Sequence, residues 1–134
     1  MKIDHDYLKG LLEAFEASEE PHTDIIELQG RGFDYEDDKF IFHMRLLEDR
    51  CLITRTDGDS GFGSVESLDG MVHWAVMPLR LTSNGHDFID ALRNQEVWST
   101  LKNGFKDASM GTLVTVSKEL LNRVLQKQLD KYVG

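Results

Sequence analysis

Apolar residues recur at helical spacing in several stretches of the chain. The first stretch follows an acidic N-cap, Asp4 or Asp6, and ends before Pro21. Its inward stripe is Leu8, Leu11, Leu12 and Phe15. A second helix is predicted over residues 34–50, with an apolar stripe of Phe40, Met44, Leu47 and Cys51. Further helices are predicted after Thr82, after a break at Asn94, and from about Gly111 to Tyr132.

Three other segments have the pattern of strands. Residues 24–29 read as a short strand, and residues 51–56 as a strand that leaves the second helix. Residues 57–64 are rich in glycine and predict a long hairpin tip. Residues 71–82 alternate in polarity and predict the longest strand, with Pro78 placing it at a sheet edge.

This order of elements predicts an α+β fold of the winged-helix-like kind. We expect one domain over residues 1–134, with a C-terminal helical extension. Its sheet would be a small antiparallel hairpin or three strands, surrounded by four to five helices. The short helix that normally precedes the recognition-position helix is not predicted between Glu19 and Gly32.

Two motifs carry a resemblance to known proteins. Residues 42–53, with His43, Leu47 and then Cys51-Leu52-Ile53, resemble the His-x-x-x-Leu-x-x-x-Gly-Leu-Ile pattern that ends many winged-helix recognition helices. Residues 81–93, which begin Leu-Thr-Ser-Asn-Gly-His, are similar to a segment of the domain-of-unknown-function family numbered 2513. That family is common in bacterial and prophage genomes. The resemblance implies a winged-helix-like fold and a phage origin, and it implies no activity.

The chain departs from the first pattern at Cys51, where the pattern has glycine. Glycine after a helix adopts the left-handed conformation at little cost. A cysteine there must accept that conformation, at roughly 1 kcal/mol, or the helix must end in another way. The apolar stripe places Cys51 in the core, which predicts a buried, inert thiol rather than a nucleophile.

Charge and composition narrow the functional classes. The formal net charge is −9, and the only net-positive stretch is residues 112–134. Because general nucleic-acid affinity comes from Lys and Arg on phosphates, this balance disfavours it. One cysteine excludes an internal disulfide, and no apolar run suits a signal peptide or membrane helix. We therefore expect a cytoplasmic protein that does not bind membranes.

The elements that would contact DNA carry negative charge, which DNA phosphates repel. The outer face of the predicted helix 34–50 shows Asp37, Asp38, Ile41, Arg45, Glu48 and Asp49. No Lys or Arg lies between Arg55 and Arg80. A DNA-binding regulator, the main alternative, would contact phosphates through Arg45, Arg55, Arg80 and the last helix's lysines. A further alternative is an acidic protein that imitates DNA and occupies a nucleic-acid-binding protein.

No residue pattern predicts a catalytic, metal or cofactor site. His86 and Asp90 are spaced i, i+4, so a hydrolase using both is an alternative, but the start of a helix also favours polar residues. The segment Asp57-x-Asp59-x-Gly61 lacks the glycine and glutamate that a calcium loop requires.

Binding is therefore the predicted function. We expect a non-catalytic module that binds protein, or itself, through the broad apolar band of the C-terminal helix. Trp74 and His86 are further candidates for partner contacts, although Trp74 also suits a core.

Overall fold

The computed structural model describes residues 1–133, which contain six helices and four short strands. The helices are α1 (His5–Glu16), α2 (Ile25–Gly30), α3 (Asp38–Asp49), α4 (Ser83–Arg93), α5 (Gln95–Gly104) and α6 (Met110–Val133). The strands are β1 (Ile53–Arg55), β2 (Ser64–Glu66), β3 (Val72–Trp74) and β4 (Leu79–Leu81). β1 pairs with β4 and β2 with β3, both antiparallel. The α+β class is confirmed, with one helix more than expected. Gly134, the last residue of the predicted domain, lies outside the described residues.

The predicted strand over residues 24–29 is wrong, because this segment forms α2. The Asp24 carboxylate caps the helix by accepting a hydrogen bond from the Glu27 N–H at 2.9 Å. Ile25 and Leu28 are buried on one face, whereas Ile26 is exposed, as helical spacing requires. Asp-x-x-Glu resembles a capping box, and that signal outweighs the short apolar run. α2 is therefore the short helix before α3 that the sequence analysis did not predict.

The β1–β4 sheet gains a third member from a single residue. Thr23 and Leu79 exchange two backbone hydrogen bonds, each of 2.7 Å, on the side of β4 away from β1. The expected third strand is thus a one-residue bridge. The order is helix, bridge, two helices, strand, hairpin insertion, strand and helix, which is the order that the winged-helix interpretation requires.

The predicted long strand over residues 71–82 is also wrong, because it is divided into β3 and β4. β3 pairs with β2 inside the insertion, whereas β4 pairs with β1. Pro78 stands at the break, where it has no N–H to donate and only accepts from the Thr56 N–H at 3.0 Å. We call residues 57–78 the hairpin segment.

α3 begins later than predicted, at Asp38 rather than at residue 34. Asp34 holds a turn by accepting from the Glu36 N–H, and Asp37 caps α3 by accepting from the Lys39 N–H. Asp34 and Asp37 therefore form a turn and a cap before α3, and not its first turn.

The core lies where α1, α3 and α4 meet the β1–β4 sheet. The predicted stripes of α1 and α3 are buried: Leu8, Leu11, Leu12, Phe15, Phe40, Met44 and Leu47. The predicted break at Asn94 is present, since its side chain caps α5 through the Val97 N–H. α6 packs on α4 and α5 through its first half, and Met110, Leu113 and Ser117 are buried there.

Cys51 takes the left-handed conformation, with a φ of 56°. The Leu52 N–H donates to the Leu47 carbonyl and the Cys51 N–H to the Glu48 carbonyl, both at 2.9 Å. This pair of bonds is a Schellman motif, and Cys51 occupies its glycine position. The predicted burial of Cys51 is wrong, because the turn leaves this residue exposed.

We expect Cys51→Gly to stabilise the protein by about 1 kcal/mol, because glycine relieves the left-handed strain at an exposed position. Chemical denaturation measures the free energy of unfolding. Cys51→Ala is the matched control, since it removes the thiol and keeps the Cβ, and it should change little. Equal effects of the two variants would show that the thiol, not the backbone, sets the stability here.

Candidate functional site

The two sequence motifs meet at the joint between α3 and α4. The Thr82 N–H donates to the Leu52 carbonyl at 2.9 Å, and the Thr82 hydroxyl donates to the Cys51 carbonyl at 2.6 Å. The same hydroxyl oxygen caps α4 by accepting from the Gly85 N–H at 3.1 Å. A Cβ at Gly85 would collide with the Leu52 carbonyl oxygen. The second motif, residues 81–93, therefore builds a structural joint.

His43 of the first motif also has a structural contact that the sequence did not reveal. Its imidazole is buried, its Nδ1 lies 2.8 Å from the Lys39 carbonyl, and its Nε2 lies 3.0 Å from the Asp4 nitrogen. A neutral ring satisfies both, since Nδ1–H donates to the carbonyl and Nε2 accepts from the Asp4 N–H. Burial lowers the pKa of His43, which favours that neutral form.

The candidate phosphate-binding arginines do not share one surface. Thr54 pairs with Arg80 and Arg55 with Leu79, so Arg55 and Arg80 project from opposite faces of the β1–β4 sheet. Arg55 lies 2.5 Å from Asp57 and 3.9 Å from Asp59, and its hydrogen bond with Asp57 raises the pKa of Arg55. Arg45 is exposed on α3. Phosphate binding by the three residues stays a prediction.

Two aromatic residues of the hairpin segment, Phe62 and Trp74, pack against the core. Trp74 is half-buried among Tyr35, Phe40 and Phe62, with ring centroids 5.3, 6.0 and 6.0 Å away. Phe62 is buried within the glycine-rich stretch, a role that its apolar side chain among glycines could have signalled. These contacts place Trp74 against the core, and a partner contact by Trp74 stays a prediction.

His86 and Asp90 face different partners. His86 Nδ1 lies 4.0 Å from a carboxylate oxygen of Glu16, and Asp90 lies 3.7 Å from Arg93. Glu16 and Arg93 are themselves hydrogen-bonded, which lowers the pKa of Glu16. The group is a surface ion network that joins α1 to α4. Among residues 1–133, no three His, Cys, Asp or Glu side chains converge in a way that suits a metal ion.

The second half of α6 extends beyond the body of the protein. From residue 125 onward every described residue is exposed, including Leu125, Leu129, Tyr132 and Val133. We call residues 122–133 the exposed half of α6. Three basic residues, Arg123, Lys127 and Lys131, lie along it with one acid, Asp130. An apolar helix face of this kind, left uncovered, is typical of a protein-binding surface.

A groove of about 880 Å³ lies between α4 and residues 114–126 of α6. Its apolar lining includes Leu52, Phe88 and Leu121, and its charged lining includes Asp87 and Lys118. The sequence could not reveal this groove, because it is formed by helices about 25 residues apart in the chain.

In the described part of the chain, no helix combines the length and apolarity that crossing a membrane requires.

Comparison with known proteins places the chain in a family without giving it an activity. A protein of Haemophilus influenzae, described only as uncharacterized, is 26% identical over 129 residues, which are 96% of this chain and 99% of that protein. No solved structure matches the chain, so the winged-helix interpretation rests on the order of elements and stays a prediction. The family model described as Hypothetical protein (DUF2513) matches residues 2–111, and the chain therefore belongs to that family.

Proposed function

We propose that the chain is a non-catalytic interaction module that binds protein through the exposed half of α6. One observation carries the proposal: four large apolar side chains in the last three turns of α6 are left uncovered, and Tyr132 is 91% exposed. Exposing them costs free energy that a bound partner would recover. The winged-helix-like body, in this proposal, holds α6 in place through α4 and α5.

Other functions have less support from the charges and contacts. A DNA-binding function would use Arg45, Arg55 and Arg80, but Arg55 is neutralised by Asp57 and projects away from Arg80. A hydrolase function would use His86 with Asp90, and each faces another residue. We infer a cytoplasmic location, since the one cysteine, Cys51, is exposed and a reducing compartment keeps such a thiol free.

Site-specific photo-cross-linking tests the proposal. A photoreactive amino acid replaces Leu129, on the exposed half of α6, or Lys106, an exposed residue between α5 and α6. In cells of the source organism we expect protein adducts from position 129 and markedly fewer from position 106. Adducts with nucleic acid, or equal adduct yields from the two positions, would contradict the proposal.

A further inference from the structure

An apolar stripe of α6 runs from the groove wall at Leu121 onto the exposed half, beside the polar residues Asn122, Arg123 and Gln126 that also line the groove. Because an α-helix turns by about 100° per residue, residues spaced by three and four share a face. Lys118 and Leu121 lie in the groove on such a stripe. Leu125, Leu129 and Tyr132 continue it along the exposed half, where nothing in the described chain covers them. The stripe therefore begins in the groove at Leu121 and ends on the exposed half of α6 at Tyr132.

We propose that a second copy of the chain occupies this stripe, so that the exposed half of each α6 lies in the groove of the other copy. This inference rests on the proposed function and names its partner. The two α6 helices would run antiparallel, related by a twofold axis that passes beside Leu125. Such a contact is isologous, which means that each copy contributes both the groove and the helix that fills it.

The order of side chains along the stripe fits antiparallel self-pairing. Leu121 and Leu129 each lie four residues from Leu125. If the twofold axis passes beside Leu125, Leu121 of one copy therefore lies opposite Leu129 of the other copy. Lys118 and Tyr132 each lie seven residues from Leu125, so Lys118 of one copy lies opposite Tyr132 of the other copy. Leucine therefore meets leucine in the inner layers, and the Lys118 ammonium meets an aromatic ring, a favourable cation–π arrangement. Each half of the stripe complements the other half.

Shape and charge agree with this partner. The groove has apolar walls from Phe88 and Leu121 and a volume of about 880 Å³, which is enough for the leucine and tyrosine side chains of one helix end. Residues 112–134 carry +2 of the total −9, which leaves −11 on residues 1–111. Docking thus brings a net-positive segment onto a body of net charge −11. The groove wall itself is balanced, with Arg50, Lys118 and Arg123 beside Asp87, Asp90 and Glu119, so the attraction comes from the body as a whole.

Cysteine cross-linking tests the twofold register in the full chain. In a Cys51→Ala background, Leu125→Cys places two thiols beside the axis, and mild oxidation should yield a disulfide-linked dimer. Lys127→Cys is the matched control, because it lies on the opposite side of the same helix and should remain monomeric. Mixing a Leu121→Cys chain with a Leu129→Cys chain should yield a mixed dimer in several-fold excess over either self-linked dimer.

Sedimentation velocity of the unmodified chain provides an independent readout. We expect a concentration-dependent dimer that Leu125→Asp converts to monomer, with unchanged circular dichroism because Leu125 is already 44% exposed. A monomer at every concentration, or equal cross-linking from positions 125 and 127, would overturn the inference. If position 129 then still forms adducts with another protein, the proposed function stands and only the self-pairing fails. If it forms none, both fail.

Discussion

Gly85→Ala is expected to destabilise the protein by about 3 kcal/mol, the upper part of the usual range for overpacking a filled site. The new Cβ would collide with the Leu52 carbonyl oxygen, which is backbone and cannot rotate aside. It would also crowd the Leu81 Cβ at 3.3 Å. Relief requires α4 to move away from the end of α3, which breaks the Thr82 hydrogen bonds that join them.

Thermal unfolding provides the measurement, and we expect the melting temperature of Gly85→Ala to fall by roughly 10 °C. Gly104→Ala is the control: it lies at the end of α5, and its added Cβ would meet nothing within 4 Å. That variant should be neutral or stabilising by about 0.5 kcal/mol, since alanine favours helix more than glycine does. Similar losses in the two variants would mean that the α3–α4 joint is looser than the contacts indicate.

His43→Leu should cost about 3 kcal/mol through a different mechanism. Leucine fills the buried space but leaves the Asp4 N–H without its acceptor. It also removes the bond from the ring to the Lys39 carbonyl, which keeps its helical donor in α3. An unsatisfied buried backbone group costs about 1–3 kcal/mol. His43→Gln should cost less, because an amide can both donate and accept. Chemical denaturation at pH 8 compares the three proteins, and a loss in His43→Leu no greater than in His43→Gln would contradict the prediction.

The same residue makes stability depend on pH. Burial lowers the pKa of His43 from its ordinary value of 6.5, and it outweighs the hydrogen bond to the Lys39 carbonyl and the Asp4 charge, which both raise that pKa. Below pH 6.5 the unfolded chain therefore binds a proton that the folded chain resists, and stability falls as the pH falls. For one group the slope reaches at most about 1.4 kcal/mol per pH unit. This part of the pH dependence should be absent in both His43 variants.

Local signals predicted the long helices well. α1, α4 and α5 each have an acidic or polar N-cap and a regular stripe, so Thr82 and Asn94 located the starts of α4 and α5. The start of α1 was predicted to within two residues, because Asp4 and Asp6 were both candidates and Asp4 is the cap. α2 was missed because six residues are too few to separate helical from strand periodicity, and the capping pair Asp24 and Glu27 was the better signal.

What the sequence could not predict depends on distant parts of the chain. The alternation of polar and apolar residues over 71–82 is the same whether the segment joins one sheet or two. Where the strand breaks depends on its partners, because β3 pairs with β2 and β4 pairs with β1. The predicted burial of Cys51 failed because a left-handed residue leaves the helical stripe. The groove follows from the packing of α4 on α6, which no local pattern encodes.

The joint between α3 and α4 has a mechanical consequence. Two residues that follow α3, Arg50 and Leu52, line the groove, and the Leu52 carbonyl oxygen also accepts a hydrogen bond from the Thr82 N–H at the start of α4. With no side chain at Gly85 to act as a spacer, the first turn of α4 is in direct backbone contact with the segment that follows α3. A molecule that enters the groove therefore contacts the same turn that sets the position of α4 relative to α3.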